Sequence, residues 1–208
     1  EILYQWVARM IILGLYVTDE IPFKDVYIHG YVMAEDGSKM SKSLGNVINP
    51  MTVIDEYGSD ALRMGILEGR TAGINRGYDE RKVKEARNFC NKLWNIARFI
   101  EDKIGENHTL KVDPKPTSAS DHWILYKLQQ TTKSLSTSLE KYQASSAYDT
   151  LYHFVWDDFA DWYIEASKTS INNSVLNYAL STSLKLLHPF APFVTETIWQ
   201  QLCRDNSL

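Results

Sequence analysis

Two lysines and two serines lie within the five-residue string KMSKS, Lys39–Ser43, which has Gly37 and Gly45 on either side. Ammonium and hydroxyl groups both donate hydrogen bonds, so together they can surround the oxygens of an anion such as a phosphate. The two glycines leave the backbone free to move around such a ligand. This pattern indicates a phosphate-binding loop, with an exposed polar loop that binds nothing as the alternative.

The elements on either side of this loop resemble a nucleotide-binding arrangement. The residues Val26–Val32 are mostly β-branched or aromatic, which predicts a short buried strand. Ala34–Val47 is then a loop, and Asn49-Pro50 begins a helix, because Asn caps a helix N-terminus well and Pro suits the first helical position. A strand, a polar loop and a capped helix in this order are typical of α/β folds that bind phosphates.

Further helices are predicted on both sides of this unit. A helix over Ile2–Leu15 has no capping residue ahead of it, so we expect the chain to be a piece of a longer protein. Gly58 ends the helix that starts at Asn49, Ser59-Asp60 cap the next, Ala61–Leu67, and Glu68–Tyr78 is a flexible connection.

From Asp79 onward, apolar residues recur at the spacing of amphipathic helices. The first helix runs from about Glu80 to Ile104, and Gly105–Ser120 is a linker. Later helices cover Leu176–Leu187 and the residues after Pro192. The predicted inward residues are Leu125, Leu128, Thr132, Leu135, Leu139 and Tyr142 on the second helix, Ala147, Leu151, Phe154, Val155, Phe159 and Trp162 on the third, and Val194, Ile198, Trp199 and Leu202 on the last.

The predicted fold class is therefore mainly α, with a small α/β part over residues 1–78 and an antiparallel helical bundle over residues 79–208. The 22 basic and 26 acidic residues give a net charge of −4, which argues against general nucleic-acid binding but allows a local basic patch. Cys90 and Cys203 match no metal-ligand spacing and are too few for a disulfide framework, so we expect reduced thiols, no bound metal and a cytoplasmic location. No apolar stretch approaches the ~18 residues of a membrane span.

Lys39–Ser43 is the KMSKS signature of class I aminoacyl-tRNA synthetases, and the chain resembles this family over nearly its whole length, residues 105–120 excepted. Three passages are most similar to the valine branch: WVARM at 6–10, PFKDVYIHG at 22–30 and RNFCNKLWN at 87–95. HPFAPF at 188–193 fits the isoleucine, leucine and valine group without separating its members. The isoleucine and leucine branches stay open, as does a non-catalytic helical module that binds tRNA or protein.

The resemblance implies activation of valine with ATP, accompanied by Mg²⁺, and transfer of the valyl group to tRNA. The α/β part would then be the C-terminal part of a Rossmann-like catalytic domain, and the bundle an anticodon-binding domain. Lysines placed at the departing pyrophosphate would stabilise the transition state more than bound ATP. The resemblance assigns this contact first to Lys42 and second to Lys39, with Met40, Ser41 and Ser43 completing the ATP-binding loop.

The resemblance also implies sites outside the loop. His29 and Gly30 would lie near the adenine of ATP, and Ile2 and Trp6, one helical turn apart, would form walls of the amino-acid pocket. The alternative is that Ile2 and Trp6 are ordinary core residues. One face of the helix after Asp79 would contact tRNA phosphates and anticodon bases, unless it is simply solvated. That face carries Arg87, Asn88, Asn91, Asn95 and Arg98, with Lys84 beside them.

Several family features are expected to lie outside this sequence: an HIGH-like tetrapeptide, an editing domain and a C-terminal coiled-coil arm. We therefore expect the 208 residues alone to be catalytically inactive and to form a monomer. The five tryptophans Trp94, Trp123, Trp156, Trp162 and Trp199 are interpreted as structural, because their spacing fits the apolar stripes.

Overall fold

Helices make up most of the computed structural model, which describes residues 2–104 and 113–203, without the side chain of Cys203. Two two-residue strands and a 3₁₀-helix lie among them in the N-terminal part. The elements are α1 (Ala8–Thr18), preceded by a π-helical stretch Leu3–Val7, β1 (Val32–Met33), the 3₁₀-helix Lys42–Leu44, α2 (Pro50–Tyr57), α3 (Ser59–Leu67), β2 (Arg76–Gly77), α4 (Glu80–Ile104), α5 (Ala119–Glu140), α6 (Ala144–His153), a π-helical stretch Phe154–Ile164, α7 (Glu165–Ser167), α8 (Asn173–Leu187) and α9 (Pro192–Cys203).

The two strands pair in parallel, with Val32 opposite Arg76 and Met33 opposite Gly77. The prediction of a buried strand over Val26–Val32 is wrong in extent and in burial, since only Val32 and Met33 are strand residues and Val26 is 44% exposed. Burial of a strand depends on neighbours that its own residues do not encode, and β2 is the one partner strand among the described residues. The predicted connection Glu68–Tyr78 supplies that partner.

The approach of the two extended segments requires glycine at position 30. A β-carbon on Gly30 would lie 1.9 Å from the carbonyl oxygen of Ile74. Beside this contact, the Tyr31 N–H donates to Asn75 Oδ1 at 2.8 Å, and the Gly73 N–H donates to the Ile28 carbonyl at 3.0 Å. Hydrogen bonds therefore hold the segment before β1 against the segment before β2, although regular strand pairing begins only at Val32.

The predicted first helix is confirmed, because helical structure continues to Thr18. No residue of the π-helical stretch Leu3–Val7 or of α1 is buried, however, and the apolar residues that recur along them stay exposed, with Trp6 at 56% and Leu13 at 54%. Interpreting these residues as an ordinary core stripe is thus wrong for the described part of the chain.

The start of α2 is confirmed in detail, since Asn49 Oδ1 accepts a hydrogen bond from the Met51 N–H at 3.0 Å. Gly58, with a φ of 92°, joins α2 to α3. The prediction that Ser59 and Asp60 cap α3 is wrong, because α3 begins without a side-chain cap. The carboxylate of Asp60 instead faces another helix.

Asp60 and Arg63, one turn apart on α3, hold the turn between α8 and α9; we call this pair the α3 clamp. Asp60 accepts hydrogen bonds from the N–H groups of Phe193 and Val194, at 3.3 and 2.7 Å, and so caps α9. Arg63 donates to the carbonyls of Pro189 and Phe190, at 2.9 and 3.2 Å, just beyond the end of α8. Each side chain therefore meets backbone groups of opposite partial charge.

The predicted bundle helices are largely confirmed. α4 has the expected bounds, and its apolar stripe is buried from Val83 to Ile100. α8 ends at Leu187, and α9 begins at Pro192 with Ile198 and Leu202 buried. Of the predicted linker, residues 105–112 lie outside the described residues, and α5 already begins at Ala119.

The predicted inward face of α5 is wrong at its ends. The buried residues are Asp121, Ile124, Leu128, Thr131 and Leu135, whereas Leu139 is 38% and Tyr142 is 54% exposed. On the following helix, Trp162 is 53% exposed, although the other predicted inward residues are buried. This tryptophan lies in the π-helical stretch, where the wider turn displaces later residues from the stripe expected at α-helical spacing.

A buried carboxylate explains the different face of α5. Asp121 Oδ1 accepts a hydrogen bond from the Tyr163 hydroxyl at 2.6 Å, and Oδ2 accepts from Asn172 Nδ2 at 2.7 Å and from the Thr117 N–H at 2.9 Å. Burial alone would raise the pKa of Asp121, but these hydrogen bonds, led by that of Tyr163, lower it from 3.8 to about 2. The network fixes the start of α5 and turns Asp121 toward the core.

Candidate functional site

The KMSKS segment directly follows a tight turn at the end of β1. The Ala34 N–H donates to the Ser38 carbonyl at 2.8 Å, and the Gly37 N–H donates to the Ala34 carbonyl at 2.9 Å. Gly37 has a φ of 78°, which only glycine adopts without strain. The turn delivers the chain from the strand into Lys39–Ser43.

Asn46 organises this loop, and sequence reasoning missed it. Its Oδ1 accepts a hydrogen bond from the Ser41 N–H at 2.9 Å, while its Nδ2 donates to Ser38 Oγ at 2.9 Å and to the Lys39 carbonyl at 3.3 Å. The Ser41 and Ser43 hydroxyls lie 2.7 Å apart. One side chain therefore bridges both halves of the loop. An Asn directly after a glycine at the loop end was the available signal.

Both lysines of the loop are exposed, and neither forms an ion pair with a carboxylate of the described residues. Lys39 Nζ lies 5.2 Å from the ring centroid of Tyr31, beside β1. Lys42 begins the 3₁₀-helix, which ends at Leu44. Gly45 follows it with a φ of 67°, and a β-carbon there would have no neighbour within 4 Å. Met40 packs against the hydrophobic core. The loop thus presents two ammonium groups while its methionine anchors it.

The space behind the loop is acidic. A cavity of about 560 Å³ is lined by Asn46, Glu35, Glu56 and Glu80, among others. The Tyr57 hydroxyl donates to Glu80 at 2.8 Å, and Glu56 and Glu80 together raise the pKa of Tyr57 to about 12. An anion is repelled from this side, so a phosphate would meet the lysines on the exposed side of the loop.

His29 and Gly30 line a different space, a cavity of about 680 Å³ between the N-terminal part and the bundle. His29 is exposed, and its Nδ1 lies 3.0 Å from the Gly30 carbonyl, to which it donates as the protonated ring nitrogen. Ile2 and Trp6 are exposed on the first helix, with the Arg9 guanidinium 6.0 Å from the Trp6 ring centroid.

Part of the predicted tRNA face lines a groove on the bundle. Asn88, Asn91 and Asn95 of α4 lie beside α7 and the π-helical stretch Phe154–Ile164, around a space of about 460 Å³. Lys92 in this groove pairs with Asp161 and lies 4.2 Å from the ring centroid of Trp156. Arg87 and Arg98 are exposed on α4, outside the residues that line the groove.

The five tryptophans singled out in the sequence and Cys90 contact other protein side chains. Trp94, Trp123, Trp156 and Trp199 pack against the hydrophobic core, and Trp162 lies 4.5 Å from Trp123 between ring centroids. Cys90 is half-buried, and burial raises the pKa of its thiol to about 12, which keeps it protonated and unreactive. Within residues 2–104 and 113–203, no three His, Cys, Asp or Glu side chains are grouped to hold a metal ion, and no helix is long and apolar enough to cross a membrane.

Two family models match the chain. Residues 1–76 match the model described as "tRNA synthetases class I (I, L, M and V)", and residues 121–208 match "Anticodon-binding domain of tRNA ligase". Curated relatives include the valine–tRNA ligase of Staphylococcus saprophyticus, 48% identical over 99% of this chain, and that of Staphylococcus aureus, 47% identical over 99%. The chain spans 25% of the length of each of these relatives.

Solved structures share the fold. A ternary complex of LeuRS, tRNA and LeuAMS from Agrobacterium radiobacter K84 matches with a TM-score of 0.81 at 22% identity, covering 96% of this chain and 25% of that one. A methionyl-tRNA synthetase from Mycobacterium tuberculosis, in complex with methionyl-adenylate, matches with a TM-score of 0.67 at 19% identity, covering 83% and 37%. The mainly α fold with a small α/β part is thereby confirmed.

Proposed function

We propose that this chain is part of a class I tRNA synthetase, and that it supplies the ATP-phosphate loop and the tRNA-binding bundle of a valine–tRNA ligase. The observation that carries the proposal is a pair of exposed lysines, without a carboxylate partner among the described residues, in a loop that Asn46 holds in shape at the end of β1. The 48% identity to a valine–tRNA ligase favours valine over isoleucine or leucine.

In the proposed first step, the carboxylate of valine attacks the α-phosphate of ATP, and pyrophosphate leaves. Lys42 and then Lys39 would donate hydrogen bonds to the departing oxygens, whose negative charge grows as the bond breaks. The hydroxyls of Ser41 and Ser43 would bind phosphate oxygens or each other. Mg²⁺ would accompany ATP as part of the substrate, neutralising charge on the same phosphates.

The amino acid and the adenine are assigned to the N-terminal part. We propose that Ile2 and Trp6 border the valine pocket and that backbone groups at His29 and Gly30 lie near adenine. The exposure of the first helix leaves Ile2 and Trp6 accessible to a ligand. The close packing of Gly30 on Ile74 fixes the position of its backbone, as a contact with a flat base requires.

The bundle is assigned to tRNA, which receives the valyl group on a ribose hydroxyl at its 3′ end in the second step. Asn88, Asn91 and Asn95 would offer amide groups to anticodon bases, and the exposed Arg87 and Arg98 would contact phosphates. We propose a boundary at residues 78 and 79, a monomeric protein and a cytoplasmic location.

The test is valine-dependent exchange between ATP and pyrophosphate, measured on the protein as its gene encodes it. Lys42→Ala should slow exchange at least a hundredfold while changing the valine Kd less than threefold, because the contact forms mainly in the transition state. Lys133→Ala removes the same charge from an exposed site on α5 and serves as the control. Equal exchange rates for Lys42→Ala and the unaltered protein would refute the role of the loop.

The same assay decides the amino acid. Isoleucine and leucine, offered in place of valine, should support much slower exchange. Faster exchange with either would move the assignment to that branch, and no exchange with any of the three would favour the non-catalytic helical module.

A further inference from the structure

Three cationic side chains converge in a cavity that the proposed function has not used. Arg70 follows α3, Arg76 lies in β2, and Lys82 lies in the first turn of α4. They line a space of about 420 Å³ between these elements. The cavity lies outside the KMSKS loop and outside the asparagine-lined groove of α4.

The charged atoms of this cluster meet beside Gly69. Arg76 Nη1 lies 3.0 Å and Lys82 Nζ lies 3.3 Å from the point where a β-carbon on Gly69 would stand. Gly69 has a φ of 69°, so its backbone conformation favours glycine as well. The missing side chain leaves room for two cations at one position.

The carboxylates nearby do not balance these charges. Glu68 pairs with Lys82 at 2.9 Å. Asp79 accepts two hydrogen bonds from Arg81, from Nε at 3.1 Å and from Nη2 at 3.0 Å. Neither Arg70 nor Arg76 forms an ion pair with a carboxylate among the described residues. Two guanidinium groups thus stay uncompensated.

Backbone carbonyls orient one of these guanidinium groups. Arg70 donates to the Ile66 carbonyl at 2.6 Å and to the Tyr31 carbonyl at 3.4 Å. Burial, followed by the charge of Arg76, lowers the pKa of Arg70. An anion bound between the two arginines would relieve this repulsion. No described side chain supplies that anion.

We propose that Arg70, Arg76 and Lys82 form a binding site for a phosphate group, and that the phosphate belongs to an RNA backbone. Planar guanidinium forks match phosphate oxygens. The two carboxylates that line this cavity, Glu68 and Asp79, pair with Lys82 and Arg81 and leave both arginines available. Free pyrophosphate shares this chemistry and is the other possible source.

The position of the cluster favours RNA. Arg76 lies in the strand that pairs with β1, which leads into the KMSKS loop, and Lys82 lies about 14 Å along α4 from Asn91 at the helical rise per residue. Lys82 and Asn91 lie on opposite faces of α4, because nine residues make about two and a half turns. An extended polyanion that crosses the helix could contact both, whereas free pyrophosphate could not. The identity of the RNA as tRNA rests on the proposed function.

The experiment measures the affinity of the gene-encoded protein for a tRNA transcript with a valine anticodon, as a function of salt. Arg76→Ala should weaken binding about tenfold at low salt. It should also reduce the slope of log affinity against log salt by about 0.7 to 0.9, the loss of one phosphate contact. Arg76→Lys should weaken binding less, because it keeps the charge. Because Arg76 is exposed, we expect both variants to fold, and a thermal melt will check this.

Two further measurements separate the outcomes. Lys133→Ala, which also removes one exposed charge, should leave the salt dependence of tRNA binding unchanged. A decrease in slope equal to that of Arg76→Ala would overturn the site. The second measurement is a titration with inorganic pyrophosphate. If Arg76→Ala abolishes pyrophosphate binding but leaves the salt slope for tRNA unchanged, the phosphate site is retained and RNA is overturned as the source of the phosphate. No effect in either titration would overturn the proposal altogether. Valine-dependent exchange by the unaltered protein, which needs no RNA, tests the proposed function separately.

Discussion

The hydrogen bond from Tyr163 to Asp121 should make the stability of this chain depend on pH in a defined way. The carboxyl has a pKa of about 2 in the folded chain against 3.8 as its ordinary value. Its ionised form therefore stabilises the fold by about 2 kcal/mol above pH 4, since a tenfold change in proton affinity is worth about 1.4 kcal/mol. This contribution is present at neutral pH and is lost as the pH falls from 3.8 toward 2.

Tyr163→Phe removes the 2.6 Å hydrogen bond and leaves Asp121 Oδ1 buried without its donor. Because hydrogen bonds to charged groups contribute about 1.5–3 kcal/mol, the free energy of unfolding should fall by about 2 kcal/mol at pH 7. The pKa of Asp121 should rise toward 3.8 in the variant, so the difference from the unaltered chain should shrink below pH 4.

Urea denaturation of the 208-residue chain between pH 7 and pH 2.5 measures both effects. Tyr126→Phe is the matched control, because Tyr126 is on the same bundle but 60% exposed, and it should change stability by less than about 0.5 kcal/mol. A stability difference for Tyr163→Phe that stays constant over this pH range would show that the hydrogen bond does not set the pKa of Asp121.

The other predictions concern the α3 clamp, a glycine and the loop. Asp60→Ala should lower the free energy of unfolding by about 1–2 kcal/mol, because it removes the cap of α9, and a thermal melt with Ser59→Ala at the neighbouring position of α3 as control will measure this. Gly30→Ala should destabilise by more than Gly37→Ala in the same melt, because the first β-carbon would overlap the Ile74 carbonyl whereas the second meets open space and adds only the strain of a left-handed φ; similar melting temperatures would contradict the close approach. Asn46→Ala should slow valine-dependent pyrophosphate exchange at least tenfold with little change in melting temperature, and an unaltered exchange rate would show that the loop keeps its shape without the amide.

Local patterns were predictable from the sequence, and non-local ones were not. The bounds of α4 follow from its own apolar periodicity, and the cap at Asn49 follows from a preference expressed within three residues. The burial of Val26–Val32 was not predictable, because it depends on strands that these residues do not specify. The inward face of α5 was wrong because a polar residue, Asp121, occupies the core through donors from distant positions.

The candidate site divides in the same way. The KMSKS string identifies its loop by residue type alone, whereas the role of Asn46 depends on hydrogen bonds that form only when the chain turns at Gly37 and Gly45. Arg76 and Lys82 are only six positions apart in sequence, but one lies in a strand and the other in a helix, so no single periodicity predicts that their charged groups meet.

The α3 clamp restricts where this molecule can bend. Asp60 caps the start of α9, and Arg63 donates to a carbonyl just beyond the end of α8. In any large rearrangement, α3 and the turn between α8 and α9 therefore move together. A movement of the KMSKS loop toward or away from the bundle must then be taken up beside the loop itself, where Gly37 and Gly45 both have left-handed φ values. The backbone between α3 and β2 offers less freedom, because hydrogen bonds tie Gly73 to Ile28 and Arg70 to Tyr31.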